Sequence, residues 1–150
     1  MEVDRSTMVR DNRQISIRLE LVANKWIAQE GLTAAQGQVL LYILQHSDVG
    51  SSLTSIHQEF GCSMAALSGL LKRLREKGYV RVEPCAADDR RKLLFGTEKG
   101  ERVQEFLDRA MGDLLDQLYH GFSQEELELL DCLQKRMLRN LSASMETKIG

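Results

Sequence analysis

The sequence predicts a mainly α protein with one small β-hairpin, built as a single domain. Three observations predict it. Apolar residues recur at helical spacing over most of the chain. One stretch, Tyr79-Val80-Arg81-Val82-Glu83, alternates instead and is β-branched, the pattern of a strand. The basic residues gather around that stretch, while both flanking segments are acidic.

Each element can be justified in turn. Residues 1–10 show no strong period and are expected to fray, with the first helix starting at about Asp11. Over residues 11–29, Ile15, Leu19, Val22 and Trp26 recur at steps of four, three and four, one face of an amphipathic helix that Gly31 can end. Thr33 with Gln36 is a capping box, so a second helix starts there and buries Val39, Leu40, Ile43 and Leu44. Ser51 and Ser52 can cap a short third helix ending at Phe60, and Gly61 makes the turn. Ser63 caps a fourth helix running to about Lys77, with Leu67, Leu70, Leu71 and Leu74 facing inward and Gly78 as its stop. A strand follows, then a polar tip, then a partner strand from Lys92 to Phe95. A long helix is expected over residues 98–122. Ser123 and Glu126 then form a second capping box before a last helix carrying Leu127, Leu130, Leu133, Met137, Leu138, Leu141 and Met145.

Two short helices, a base-rich third and a hairpin with arginines near its tip form the layout of a winged helix-turn-helix. Such a lobe, over about residues 32–97, leaves little surface to cover three further amphipathic helices. The expectation is that residues 11–30 and 98–147 are dimerisation helices that bury their stripes against a second copy.

Bulk composition supports this reading. At 150 residues the chain can bury one sizeable core. Its net charge is −2, yet residues 63–92 hold eight Lys/Arg against four Asp/Glu. That asymmetry steers a polyanion toward one face. The longest apolar run, Val39 to Leu44, is too short to span a bilayer, and the charged N-terminus has no signal-peptide core, so a cytoplasmic location is expected. Cys62, Cys85 and Cys132 fit neither a disulfide framework nor a zinc spacing, and His46, His57 and His120 are scattered. No phosphate-binding glycine loop, nucleophile elbow or metal pair is present. Neither enzymatic activity nor a metal or cofactor is expected.

Candidate contacts follow from the chemistry of DNA. Ser63 can meet a phosphate at the positive end of the fourth helix. Met64 and Ala65 offer apolar contacts to thymine methyls. Ser68, Lys72 and Arg73 lie on or near the outward face of that helix.

With these segments on the page, the chain resembles the MarR family of bacterial winged helix-turn-helix transcription regulators over roughly residues 12–145. The carrying residues are Leu32-Thr33-Ala34-Ala35-Gln36 leading to Val39-Leu40, Gly61-Cys62-Ser63, and Leu70-Leu71-Lys72-Arg73-Leu74-Arg75-Glu76-Lys77-Gly78-Tyr79-Val80. Asp88-Asp89-Arg90-Arg91 and Thr97-Glu98-Lys99-Gly100 complete the set. The resemblance implies a homodimer that binds a palindromic operator, often as a repressor, and that a small aromatic ligand releases. In the family pattern Arg90 reaches into the minor groove and Asp88 holds it. Arg91 and Lys92 then serve phosphates. The same analogy locates an effector pocket near Val22, Trp26, Leu40, Leu44 and Phe106. The chain departs from the pattern at Gly69, where a polar residue is common, at Gly96, where leucine is common, and at His57, where alanine is common. It also lacks the first-helix cysteine of redox-sensing relatives. The alternative reading is a winged-helix protein-interaction module that does not bind DNA.

Overall fold

Among the residues described, the elements run α1 (Arg5–Ile27), a 3-10 turn (Ala28–Glu30), α2 (Ala34–Gln45), α3 (Leu53–Phe60), α4 (Met64–Glu76), β1 (Val80–Cys85), β2 (Asp88–Gly96), α5 (Glu98–Leu118) and α6 (Gln124–Thr147). The structure, a computed structural model, describes residues 1–147, with the side chains of residues 88–90, 146 and 147 outside the description. The chain divides into two compact units, Met1–Leu114 and the part from Leu115 onward.

Helix starts follow local chemistry closely. Thr33 and Gln36 form the full capping box at α2, and Ser52 and Ser63 cap α3 and α4 through their hydroxyls. Each such cap stabilises its helix by about 1 kcal/mol. Gly31, Gly61 and Gly78 take positive φ, where a side chain would be strained, and end the preceding turns.

The first helix starts earlier than the expected Asp11. α1 begins at Arg5, because Asp4 caps it: its carboxylate accepts the Ser6 N–H at 3.0 Å and the Thr7 hydroxyl at 2.7 Å. The Thr7 hydroxyl, and then the backbone bonds from Ser6 and Thr7, hold the Asp4 carboxyl below its ordinary pKa range. The long helix is also shorter than expected, closing at Leu118 rather than near residue 122.

The first unit has one core. Leu40 and Ile43 of α2, Ile56 of α3, and Leu67 and Leu74 of α4 are its largest fully enclosed side chains. Each contributes about 1.5–3 kcal/mol through apolar burial. Tyr79, Val80 and Leu94 bring the hairpin onto this core, and Leu107 brings α5.

The hairpin is longer than its hydrophobic pattern suggested. β1 and β2 pair antiparallel from Val80↔Gly96 to Pro84↔Lys92, with a register break between Pro84 and Cys85, then Cys85↔Asp88. The turn is only Ala86 and Ala87, so the charge cluster lies within β2 rather than in a loop. Pro84, which lacks an N–H, sits beside the break, where a ladder bond is dispensable. Ser51 makes an isolated bridge to β2: its N–H donates to the Leu94 carbonyl at 3.0 Å and its carbonyl accepts the Leu94 N–H at 2.8 Å. The wing is thereby fastened to the loop before α3.

From Leu115 onward the chain is the end of α5, a turn and α6. Ser123 and Glu126 close the second capping box, at 2.9 and 3.1 Å. Tyr119 and Phe122 meet edge to face, 5.9 Å between ring centres. Leu129, Leu133, Met137, Leu138, Leu141 and Met145 are all exposed along α6.

Candidate nucleic-acid interface

α4 is oriented by its two faces. Leu67, Leu71 and Leu74 are buried, which leaves Met64, Ala65, Ser68, Lys72 and Arg73 exposed. At 3.6 residues per turn, Ala65, Ser68 and Lys72 fall along one outward line and Arg73 on its flank. Ser63 is exposed, and its hydroxyl accepts the Ala66 N–H at 3.1 Å. The first turn presents free backbone N–H groups beside an apolar Met64 that is 43% exposed.

The C-terminal end of α4 is held in place by lysines. Lys77 Nζ donates to the Gly31 carbonyl at 2.5 Å and to Gln36 Oε1 at 3.0 Å, tying α4 to the start of α2. Lys99 Nζ donates to the Lys77 carbonyl at 2.6 Å and lies 4.6 Å from the centre of the Tyr79 ring. The Tyr79 hydroxyl donates to the Glu30 carbonyl at 3.1 Å; burial, with the Glu30 charge second, pushes its pKa up.

The segment Thr97-Glu98-Lys99-Gly100 positions the wing against α5. Thr97 Oγ1 donates to the Gly78 carbonyl at 2.5 Å and accepts the Gly100 N–H at 3.1 Å, so one hydroxyl joins the end of α4 to the first turn of α5. Gly100 is required by space: a Cβ there would stand 2.5 Å from the Tyr79 carbonyl oxygen. Gly96 has a similar account. Leu44 Cδ2 fills the room a side chain at Gly96 would need.

On the wing, Arg91 and Lys92 are exposed on β2. The expected pairing of Asp88 with Arg90 involves side chains outside the described residues. Two arginines not singled out from the sequence join the site. An open groove of about 520 Å³ runs between α4 and β1, lined by Lys72, Arg75, Glu76, Val80, Arg81 and Val82. Arg81 pairs with Glu83 and lies 4.8 Å from the centre of the Phe95 ring, its cross-strand neighbour. The available signal was spacing: Arg75 follows Lys72 by three on the helix, and Arg81 alternates outward from the strand.

The residues of the expected effector pocket are divided. Val22, Trp26 and Phe106 are half-buried, whereas Leu40 and Leu44 are closed into the core. Among the described residues no cluster of His, Cys, Asp or Glu could hold a metal ion. None of the described helices is long and apolar enough to cross a membrane.

A helix-turn-helix whose second helix turns an exposed, partly basic face outward beside a two-stranded wing defines a winged helix-turn-helix protein. Residues 30–91 match the model of the MarR family. The HTH-type transcriptional regulator YybA of Bacillus subtilis (strain 168) is 24% identical over 139 residues, covering 93% of this chain and 91% of that one. The transcriptional regulator SlyA has the same fold, with a TM-score of 0.83 at 23% identity over 93% of this chain and 96% of the other. The MepR–DNA complex of S. aureus gives a TM-score of 0.80 at 25% identity, over 93% and 99%. Over residues 30–91 the chain is therefore similar to the MarR family, and its fold is that of the regulators it resembles.

Proposed function

We propose that this regulator binds double-stranded DNA as a homodimer on a palindromic operator, acts as a repressor, and is released by a small aromatic ligand. The observation that carries the reading is the exposed face of α4, with Met64, Ala65, Ser68, Lys72 and Arg73, lying beside a hairpin that bears Arg91 and Lys92. Base and phosphate contacts require that combination of an apolar and hydroxyl-bearing helix start with basic flanks. The similar MepR structure is a complex with DNA, which supports the same use of the fold here.

In this reading residues 32–97 form the DNA lobe, and residues 11–30 and 98–147 dimerise. The support is unpartnered apolar surface. Met8, Val9, Ile15, Ile17 and Leu21 of α1 are exposed, as are the α6 residues from Leu129 to Met145 named above. The α6 residues fall on one side of their helix, and a contiguous apolar face of this kind marks an interaction site. Two-fold symmetry then gives two recognition helices in successive major grooves, hence half-sites about one helical turn apart. The effector part rests on the resemblance and on the half-buried Trp26 and Phe106 near the core.

Selection of bound duplexes from a random pool, followed by footprinting and sedimentation at micromolar concentration, tests the proposal. A palindromic footprint and about twice the chain mass are expected. A folded monomer, a single half-site, or no salt-dependent binding to any duplex would overturn it, the last in favour of a protein-interaction module.

A further inference from the structure

A glycine inside a helix needs a reason, because it weakens the helix relative to alanine. At Gly37 and Gly100 the reason is space. A Cβ at the first would stand 2.8 Å from Ile27 Cδ1, and at the second 2.5 Å from the Tyr79 carbonyl oxygen. Gly69, near the middle of α4, has no such neighbour. A Cβ there would meet nothing within 4 Å, and its φ is not positive, so nothing among the described residues calls for glycine. Gly112 of α5 has equally open surroundings, so open space alone decides nothing. The two glycines differ in what stands beside them. Glu105, Asp108 and Asp116 flank Gly112 at helical spacing, with Arg109 as counter-charge, a face that repels a polyanion. Gly69 lies opposite the buried Leu67, Leu71 and Leu74, on one face with Ala65, Ser68 and Lys72 at steps of three and four.

We infer that Gly69 determines operator specificity: the bare backbone at this position forms a notch that seats the C5-methyl of one thymine in each half-site. The inference rests on the DNA-binding reading above. A mid-helix backbone has its N–H and C=O groups committed to the helix ladder, so the notch offers a base edge no hydrogen bond. It selects by shape and apolar contact alone. Among the groups that base pairs present in the major groove, the thymine methyl is the apolar one. Ala65, one turn earlier, adds its methyl to the same wall, and Met64, 43% exposed at the helix start, extends it. With no Cβ at Gly69, the helix comes closer to the base edges there than any other residue permits. The notch thus converts a weakness of the helix into room for one group.

Stability and specificity should therefore move in opposite directions when the notch is filled. Gly69→Ala should raise Tm by roughly 2–4 °C, since alanine is the better helix former. The same variant should bind the selected operator about tenfold more weakly, the scale of one spoiled base contact. Its affinity for a scrambled duplex and its salt slope should stay parental, because no phosphate contact is touched. The decisive probe is the operator with each half-site thymine replaced in turn by deoxyuridine, which keeps the pairing and the O4 acceptor but lacks the methyl. At one position the parent should lose about threefold to fivefold in affinity, the worth of one buried methyl. At that position alone the gap between the parent and Gly69→Ala should close, since the added Cβ then has nothing to collide with. Parental operator affinity in Gly69→Ala, an equal loss on every deoxyuridine operator, or selected half-sites without thymine would overturn this inference and leave the DNA-binding reading standing. A parent that binds no duplex would remove both.

Discussion

Replacing Thr97 by valine keeps the shape of the side chain and deletes one oxygen. That oxygen makes two bonds: it donates to the Gly78 carbonyl at 2.5 Å and caps α5 by accepting the Gly100 N–H at 3.1 Å. Loss of an N-cap costs about 1 kcal/mol. Loss of a hydroxyl-to-carbonyl bond costs about another 1 kcal/mol. Thr97 is half-exposed, so water can re-satisfy part of what is lost, and the expected total is about 1–2 kcal/mol. For a chain of this size that corresponds to a fall of roughly 2–8 °C in Tm. Urea unfolding followed by far-UV circular dichroism measures it, at one fixed chain concentration because association adds to apparent stability. The midpoint should drop with an unchanged m value. Thr97→Ser keeps both bonds and should lose far less. A Thr97→Val midpoint equal to the parent's, or equal losses in the valine and serine variants, would refute the idea that this hydroxyl locks α4 to α5.

Three further outcomes are expected. Arg90→Ala should weaken operator binding by roughly 1–3 kcal/mol, while Lys92→Ala mainly lowers the salt slope by about one unit and Asp88→Ala falls between. Titration of the three at two salt concentrations checks this, and an Arg90→Ala protein of parental affinity would reject the minor-groove role. Glu126 accepts the Ser123 N–H, and its bonds with Ser123 hold its carboxyl below the ordinary value of 4.5. A depressed folded value means that its stabilising share is present above the ordinary value and is lost as pH falls through the folded one. Acid urea titrations should therefore show the parent losing stability relative to Glu126→Gln, which keeps the capping oxygen and does not titrate; parallel curves would contradict it. Trp26 is the sole tryptophan, so its emission should change when an aromatic acid that dissociates the operator complex binds. An effector held equally well by Trp26→Ala would move the pocket elsewhere.

Much of the fold was legible because its signals are local. The capping boxes at Thr33/Gln36 and Ser123/Glu126 form as their spacing implies, since a cap needs only residues three apart. The stripe Leu67, Leu71 and Leu74 fixed which way α4 turns, and with it the exposure of Lys72 and Arg73. The first turns of α1 were missed because Asp4, a cap without an apolar stripe behind it, was outweighed by the absence of period. The reach of the hairpin was missed because a polar, proline-containing run reads as a loop. Backbone pairing on an edge strand does not need apolar side chains, only a register.

What the sequence determined by itself is the order and type of the elements, the direction α4 faces, and the resemblance to a family. Each is written in spacings of two to four residues, which neighbouring side chains enforce directly. Only the tertiary structure decided what Thr97, Gly96 and Gly100 are for, since each answers to a residue far along the chain: Gly78, Leu44 and Tyr79. The same holds for the groove. Arg75 lies on a helix and Arg81 on a strand, and no periodicity relates them. They come to line one space because buried Val80 draws β1 onto the core beside α4. Burial of apolar surface is non-directional, so it settles which faces meet only once the whole core has assembled.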